Sequence, residues 1–217
     1  MMDYEAARIK MVDNQVRTTD VTSHSVLRAF LTVPREAFVP EKAKALAYID
    51  EDIEVAPGRY VMEASPLAKL LQLAAVTKDD VVLEVGCGTG YATALLSQIA
   101  SAVVAVESDA GLAAKATETL AALGCDNVAV VTGPMEAGYA AEAPYDLIFI
   151  NGSVEEVGQT LFGQLRDGGR LVTVVGYGNA STARVYRKEN GVLSEAAFFN
   201  TSVKPLPGFR KAKEFVF

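Results

Sequence analysis

The chain reads as an α/β protein built on a doubly wound, mostly parallel sheet with helices on both faces. Three observations predict this. Short apolar runs such as Val81-Val82-Leu83 and Ala102-Val103-Val104-Ala105-Val106 lack the alternation of a half-exposed strand and suit strands covered on both faces. Stretches of helical spacing separate them, which is the pattern of βαβ units. The composition is that of an ordinary globular chain, 50% hydrophobic and 22% charged over 217 residues, long enough for one sizeable core.

Residues 1–65 read as a helical and irregular cover belonging to the same domain, and residues 66–217 as the main α/β portion. In the cover, residues 4–16 carry apolar positions at near-helical spacing. Residues 21–33 follow as a second helix, with Thr22 or Ser23 as N-cap and Pro34 as stop. Between Pro40 and Pro66 the pattern loosens, and Pro57-Gly58 marks a turn. The main portion then alternates: helix 67–75, strand 81–85, helix 91–100, strand 102–106, helix 110–123, strands 127–131 and 145–150, helix 154–165 and strand 170–175. Residues 182–187 and 195–201, joined at Glu189-Asn190-Gly191, read as an antiparallel edge hairpin that brings the sheet to seven strands.

Charge and rare residues narrow the chemistry. With 20 Lys+Arg against 27 Asp+Glu, net charge −7, the chain has no electrostatic footprint for nucleic acid or anionic lipid. No apolar run approaches the ~20 residues of a membrane span, and no apolar segment with a cleavage site follows the first residues, so a cytoplasmic protein is expected. His24 is the only histidine and reads as a surface residue; multi-histidine metal sites are excluded, and no metal is expected. Cys87 and Cys125 lack metal-ligand spacing and read as small buried residues of a reduced compartment.

The chemistry is written at residues 81–90, VVLEVGCGTG, where a strand runs into Gly86, Gly88 and Gly90 before a helix. Glycines there let the backbone turn tightly and let a ligand approach the main chain at the carboxyl end of a strand. A dinucleotide fingerprint would need glycine where Tyr91 stands, and a P-loop would need a Gly-Lys-Ser/Thr ending. The second strand ends in Glu107, where a carboxylate accepts ribose hydroxyls.

The acidic-x-Gly-x-Gly-x-Gly pattern from Glu84 resembles motif I of class I S-adenosylmethionine-dependent methyltransferases. Residues 11–17 (MVDNQVR), 26–30 (VLRAF), 33–40 (VPREAFVP) and 47–50 (AYID), with 143–146 (APYD) and 165–172 (LRDGGRLV), resemble the protein-L-isoaspartate O-methyltransferase family over nearly the whole chain. The resemblance implies a Rossmann-like methyltransferase sheet, S-adenosyl-L-methionine as cofactor, and methyl esterification of the carboxylate freed when aspartyl residues isomerise, on damaged peptides or proteins. It implies cofactor contacts at Glu84, Gly86, Cys87, Gly88, Thr89, Gly90, Glu107, Ser108, Pro134 and Met135.

Departures from the family pattern fall on the substrate side. The family's Gly-Gln-Thr-Ile-Ser-Gln/Ala-Pro stretch, aligned on Pro66, puts Met62 at the Thr, Glu63 at the Ile and Ala64 at the Ser, with Ser65 one residue late. The substrate positions are therefore Ala64 and Ser65, and either the hydroxyl is lost or Ser65 supplies it. Glu63 would repel a carboxylate substrate. Gly133-Pro134-Met135 stands where the family reads Gly-Asp-Gly, with Glu136 as the available carboxylate. Tyr60, Tyr91 and Tyr177 read as packing or as pocket walls, and Asn151-Gly152 as a substrate-facing loop. Residues 204–213, with Lys204, Arg210, Lys211 and Lys213, form a basic end, either a solvated tail or a surface for an anionic peptide. A divergent member acting on another acceptor, or a silent one, is the alternative.

Overall fold

The computed structural model describes residues 3–210. Helix α1 (Tyr4–Met11) is N-capped by Asp3, whose carboxylate accepts the Ala6 N–H, and runs into a π-helical turn at Val12–Val16. Ser23 caps α2 (His24–Thr32), which ends before Pro34, because the residue preceding proline is pushed out of the helical region. Residues 40–66 hold a hairpin that periodicity did not reveal, β1 (Ile53–Ala56) and β2 (Arg59–Val61), turning at Pro57-Gly58.

The main portion follows as α3 (Ala64–Ala74), β3 (Val81–Val85), α4 (Tyr91–Ser97), β4 (Ala102–Glu107), α5 (Ala110–Ala122), β5 (Val128–Thr132), β6 (Tyr145–Val154), α6 (Gln159–Gly163), β7 (Leu165–Val175), β8 (Thr182–Glu189) and β9 (Val192–Asn200). The main sheet has seven strands in the order β5-β4-β3-β6-β7-β8-β9. The first five are parallel, and β8 and β9 add the expected antiparallel edge. The order reverses between β3 and β6, the crevice in which open α/β sheets bind ligands.

The helix expected over 154–165 shrinks to α6. Residues 151–154 instead extend β6, because Ser153 finds backbone partners on both sides: β7 at Val174 and the distant residue Pro205. A partner about fifty residues away leaves no local periodicity to read.

The cover is packed into the main core. Phe30 and Phe38 bring their rings to 6.1 and 5.6 Å from the ring of Tyr91 on α4. Arg35 of the VPREAFVP segment is fully buried. Its Nε donates to the Ala47 carbonyl (2.7 Å) and its Nη1 to the Met62 carbonyl (2.9 Å), while the guanidinium lies 4.9 Å from the Tyr91 ring centre. One arginine thus ties the cover to α4 and to the segment that leads into α3. Cys87 is buried and Cys125 half-buried, both free thiols, and His24 is exposed. Among the described residues, no helix is long and apolar enough to cross a membrane, and no cluster of ligating side chains could hold a metal.

Candidate active site

Two carboxylates close adjacent strands at the switch point, and both are fully buried. Glu84, on β3, faces the end of β6, where Asn151 Nδ2 donates to its Oε1 at 3.1 Å. Its Oε2 has no hydrogen-bond partner. Burial pushes the carboxyl up to about 7; the Thr93 and Asn151 side chains pull it partly back, and the charge of Glu107 adds to the rise.

Glu107, on β4, is saturated instead. It accepts Gly88 N–H (2.8 Å), Asp109 N–H (3.0 Å), the Ser108 hydroxyl (3.4 Å) and both Nη groups of Arg59, Nη2 at 2.5 Å. Burial raises this carboxyl, but the Arg59 guanidinium and the Asp109 and Gly88 amides outweigh it, so its pKa lies below the usual carboxylate range. Arg59 comes from the unexpected hairpin, and nothing local in the sequence announces a pairing across 48 positions.

The glycine loop serves several purposes at once. Gly86, at φ +84°, has Leu206 on its open side: a Cβ there would sit 2.8 Å from either Leu206 methyl carbon. At Gly90 (φ +95°), a Cβ would meet Leu120 and Ala116 of α5 at 3.1–3.2 Å, so this glycine lets two helices pack. Gly88 turns its amide onto Glu107. Thr89 points its hydroxyl away, to the Phe38 carbonyl at 2.6 Å, which fixes the loop to the cover. Cys87 is buried beside it, and burial raises its thiol pKa well above the ordinary value.

Ser108 is exposed at the end of β4. Pro134 opens a 3-10 turn (Met135–Ala137) beyond β5, with Pro134 exposed and Met135 buried. Together with Gly133, Glu136 and Gly208, these residues border an open groove of about 490 Å³; Ser108, Asp109, Pro57 and Pro207 border a neighbouring one of about 690 Å³. Toward the glycine loop the cleft closes: between Arg59, Met62, Gly86, Asn151 and Leu206 only about 20 Å³ is left, room for a water or two.

The substrate positions sit at the start of α3. Ala64 is fully buried and Ser65 half-buried, and successive helical residues point about 100° apart, so the Ser65 hydroxyl takes a different direction from the Ala64 methyl. Glu63 precedes them, its N–H donating to Asp52 Oδ1 at 2.9 Å. Burial, then the charges of Asp50 and Asp52, push the Glu63 carboxyl up to about 7 against the pull of Arg35. Tyr60 is half-buried beside the closed end of the cleft, Tyr91 is buried packing, and Tyr177 is half-buried.

Residues 203–209 are not a solvated tail. Val203, Leu206 and Phe209 are buried, and the segment lies along the end of β6. Ser153 N–H donates to the Lys204 carbonyl (3.0 Å), Leu206 N–H to the Ser153 carbonyl (2.9 Å) and Glu155 N–H to the Phe209 carbonyl (3.3 Å). Lys211 and Lys213 of the proposed basic end lie outside the described residues.

A doubly wound sheet with a glycine loop after its first central strand and a carboxylate closing the neighbouring strand defines an open α/β protein of the class that binds nucleotide-type cofactors. Comparison with known proteins narrows the class. The model of the family "Protein-L-isoaspartate(D-aspartate) O-methyltransferase (PCMT)" matches residues 6–206. A protein-L-isoaspartate O-methyltransferase of Koribacter versatilis (strain Ellin345) is 37% identical over 201 residues, 93% of this chain and 90% of that protein. One from Methanoculleus marisnigri is 37% identical over 169 residues, 78% and 77% of the two chains. A solved protein-L-isoaspartate O-methyltransferase superposes with a TM-score of 0.80 at 27% identity, covering 93% of this chain and 67% of its own. A Plasmodium falciparum structure described as a putative member in complex with S-adenosyl-L-homocysteine superposes at 0.79 with 17% identity, a likeness of fold.

The chain belongs to the protein-L-isoaspartate O-methyltransferase family, a family of S-adenosylmethionine-dependent enzymes.

Proposed function

We propose that the cleft at the ends of β3, β4 and β6 binds S-adenosylmethionine, and that the chain methylates the free carboxylate of isoaspartyl residues in damaged proteins. The observation that carries the cofactor reading is Glu84: a fully buried carboxylate with one oxygen unpartnered, at the switch point of the sheet and beside the glycine loop. An unpaired buried acceptor is costly, and a cation supplies the missing partner. Glu84 would hold the cofactor's ammonium, the main chain of Gly86, Cys87, Gly88, Thr89 and Gly90 its amino-acid portion, and Glu107 its ribose. Ser108, Pro134 and Met135 would border the adenine.

When bound, the cofactor supplies a methyl group on a sulfonium, already activated for displacement. The chain's own work is to hold the acceptor in line and keep water out. A carboxylate acceptor is a nucleophile without help, so the single exposed histidine is no obstacle. Arg35 fixes the backbone of Met62, just before Glu63, Ala64 and Ser65, the segment proposed to face the acceptor. The cover and the α/β portion act as a single folding unit, since Arg35 and the Phe30, Phe38 and Tyr91 rings join them. Free thiols and an acidic surface suit the cytoplasm.

The test is methyl transfer from labelled S-adenosylmethionine to an isoaspartyl peptide and to its aspartyl twin, with base-labile ester as readout. Labelling of the isoaspartyl peptide alone is expected. A second reading rests on Ala64 and on the acidic trio Asp50, Asp52 and Glu63, which suit an acceptor other than a carboxylate; failure to label either peptide, with the cofactor bound, would favour it.

A further inference from the structure

The two ends of the cleft are unequal, and the closed end is filled by the chain itself. Arg59 places both Nη groups on Glu107, the carboxylate assigned to a ribose diol, so two N–H donors stand where two hydroxyl donors would. Leu206 packs its methyls on Gly86, and its Cγ lies 2.6 Å from where a Cβ of Gly152 would be, so it covers Gly86, the start of the main chain assigned to the cofactor's amino-acid portion. Meanwhile the grooves bordered by Ser108, Asp109, Pro134 and Met135 stay open. A cofactor needs a pocket of a few hundred Å³; about 20 Å³ is left at the glycine loop.

The two fillers are tied to each other. Lys204, two residues before Leu206, brings its Nζ to 4.0 Å from Asp52, just before β1, and to 5.3 Å from the centre of the Tyr60 ring, next to Arg59. Half of the Lys204 side chain is exposed (52%), and such solvent-screened ties are weak enough to open. Glu107 keeps three other donors when Arg59 leaves, the Gly88 and Asp109 amides and the Ser108 hydroxyl.

We infer that Arg59 of the β1–β2 hairpin and Leu206 of the strap 203–209 form a two-part latch that holds the places of the cofactor's ribose and amino-acid portions, so that hairpin and strap release together before the cofactor enters. The inference rests on the reading of this cleft as the S-adenosylmethionine site. The outer grooves receive the adenine end first, and the inner end becomes available on release. Binding is thereby taxed by the population of the closed state.

Calorimetric titration with S-adenosylhomocysteine of the wild type, Arg59→Gln and Leu206→Ala tests this, with thermal unfolding of each free protein to show that it is folded. A closed state favoured ten to one depresses apparent affinity by about tenfold, so both variants should bind about tenfold tighter than wild type. Stopped-flow binding rates should level off with ligand concentration in wild type, where opening limits entry, and stay linear in the variants. Unchanged or weaker binding in both folded variants, tightening in only one, or binding by none of the three proteins would overturn the latch. Tighter binding in both variants without isoaspartyl labelling would leave the latch standing and remove the substrate assignment instead.

Discussion

Glu84 and Glu107 end neighbouring parallel strands and are equally buried, yet their surroundings differ in every other respect. Glu107 is given five donors and titrates low; Glu84 is bonded by Asn151 alone, its other oxygen unbonded with the equally unbonded Thr93 hydroxyl as neighbour, and titrates near 7. The first is a finished internal ion pair, while the second is an interaction still missing its partner. Burial alone does not decide how a carboxylate stands toward a ligand: its partner count separates one whose ligand place is already taken by a side chain of the protein, Arg59 on Glu107, from one whose place is still open, Glu84.

The largest expected effect comes from breaking the finished side. Glu107→Gln sets an amide NH2 against donors that need a carboxylate, the Gly88 and Asp109 N–H groups and Arg59, and leaves at least one buried donor unpaired, a loss of about 3 kcal/mol, seen as a lowered midpoint in thermal or denaturant unfolding at neutral pH.

Removing the charge at Glu84 should act oppositely. The free-chain carboxyl loses its proton near 4.5 and the folded one near 7. Between those values the folded state binds more protons, so the ionised group costs stability increasingly as pH rises, and the full cost stands above about 7. Glu84→Gln should therefore stabilise the fold at pH 8 by up to about 3 kcal/mol, with the gain vanishing below about pH 4.5. Stability curves across this range check the sign; a variant less stable than wild type at pH 8 would contradict it.

On the acceptor side the effects should be smaller. Glu63 ionises near 7, and its charge then faces a carboxylate acceptor. KM for an isoaspartyl peptide should rise between pH 6 and 8 in the wild type and stay flat in Glu63→Gln, with kcat little changed. Restoring a hydroxyl with Ala64→Ser should lower KM by about tenfold, the lower end of what one added hydrogen bond to a charged group supplies. Smallest is Arg17→Ala, which deletes an exposed pair with Asp13 at 3.1 Å; less than about 1 kcal/mol is expected from unfolding curves.

The readable parts of the chain were those set by neighbours in sequence. Apolar runs and helical spacing gave the seven strands of the main sheet, and Gly86, Gly88, Gly90, Glu84 and Glu107 stood out because strand, loop and helix follow each other directly. Arg59 and Leu206 did not stand out. Arg59 follows a turn and resembles any hairpin residue until the fold brings it to Glu107; Leu206 sits between two prolines in what reads as a tail until β6 lengthens to pair with it. Likewise, a buried Arg35 among apolar residues gives no hint that backbone carbonyls at 47 and 62 await it. Long-range partners decide these positions, and periodicity carries no information about them.

The most direct test of the central claim, that Glu84 is held for a cation of the cofactor, is the pH dependence of S-adenosylhomocysteine affinity in wild type and Glu84→Gln. With a carboxyl titrating near 7, the ionised fraction grows about tenfold between pH 6 and 8. Wild-type affinity should rise by that factor while the variant binds weakly and without pH dependence. Equal affinity and equal pH profiles in the two proteins would contradict the assignment.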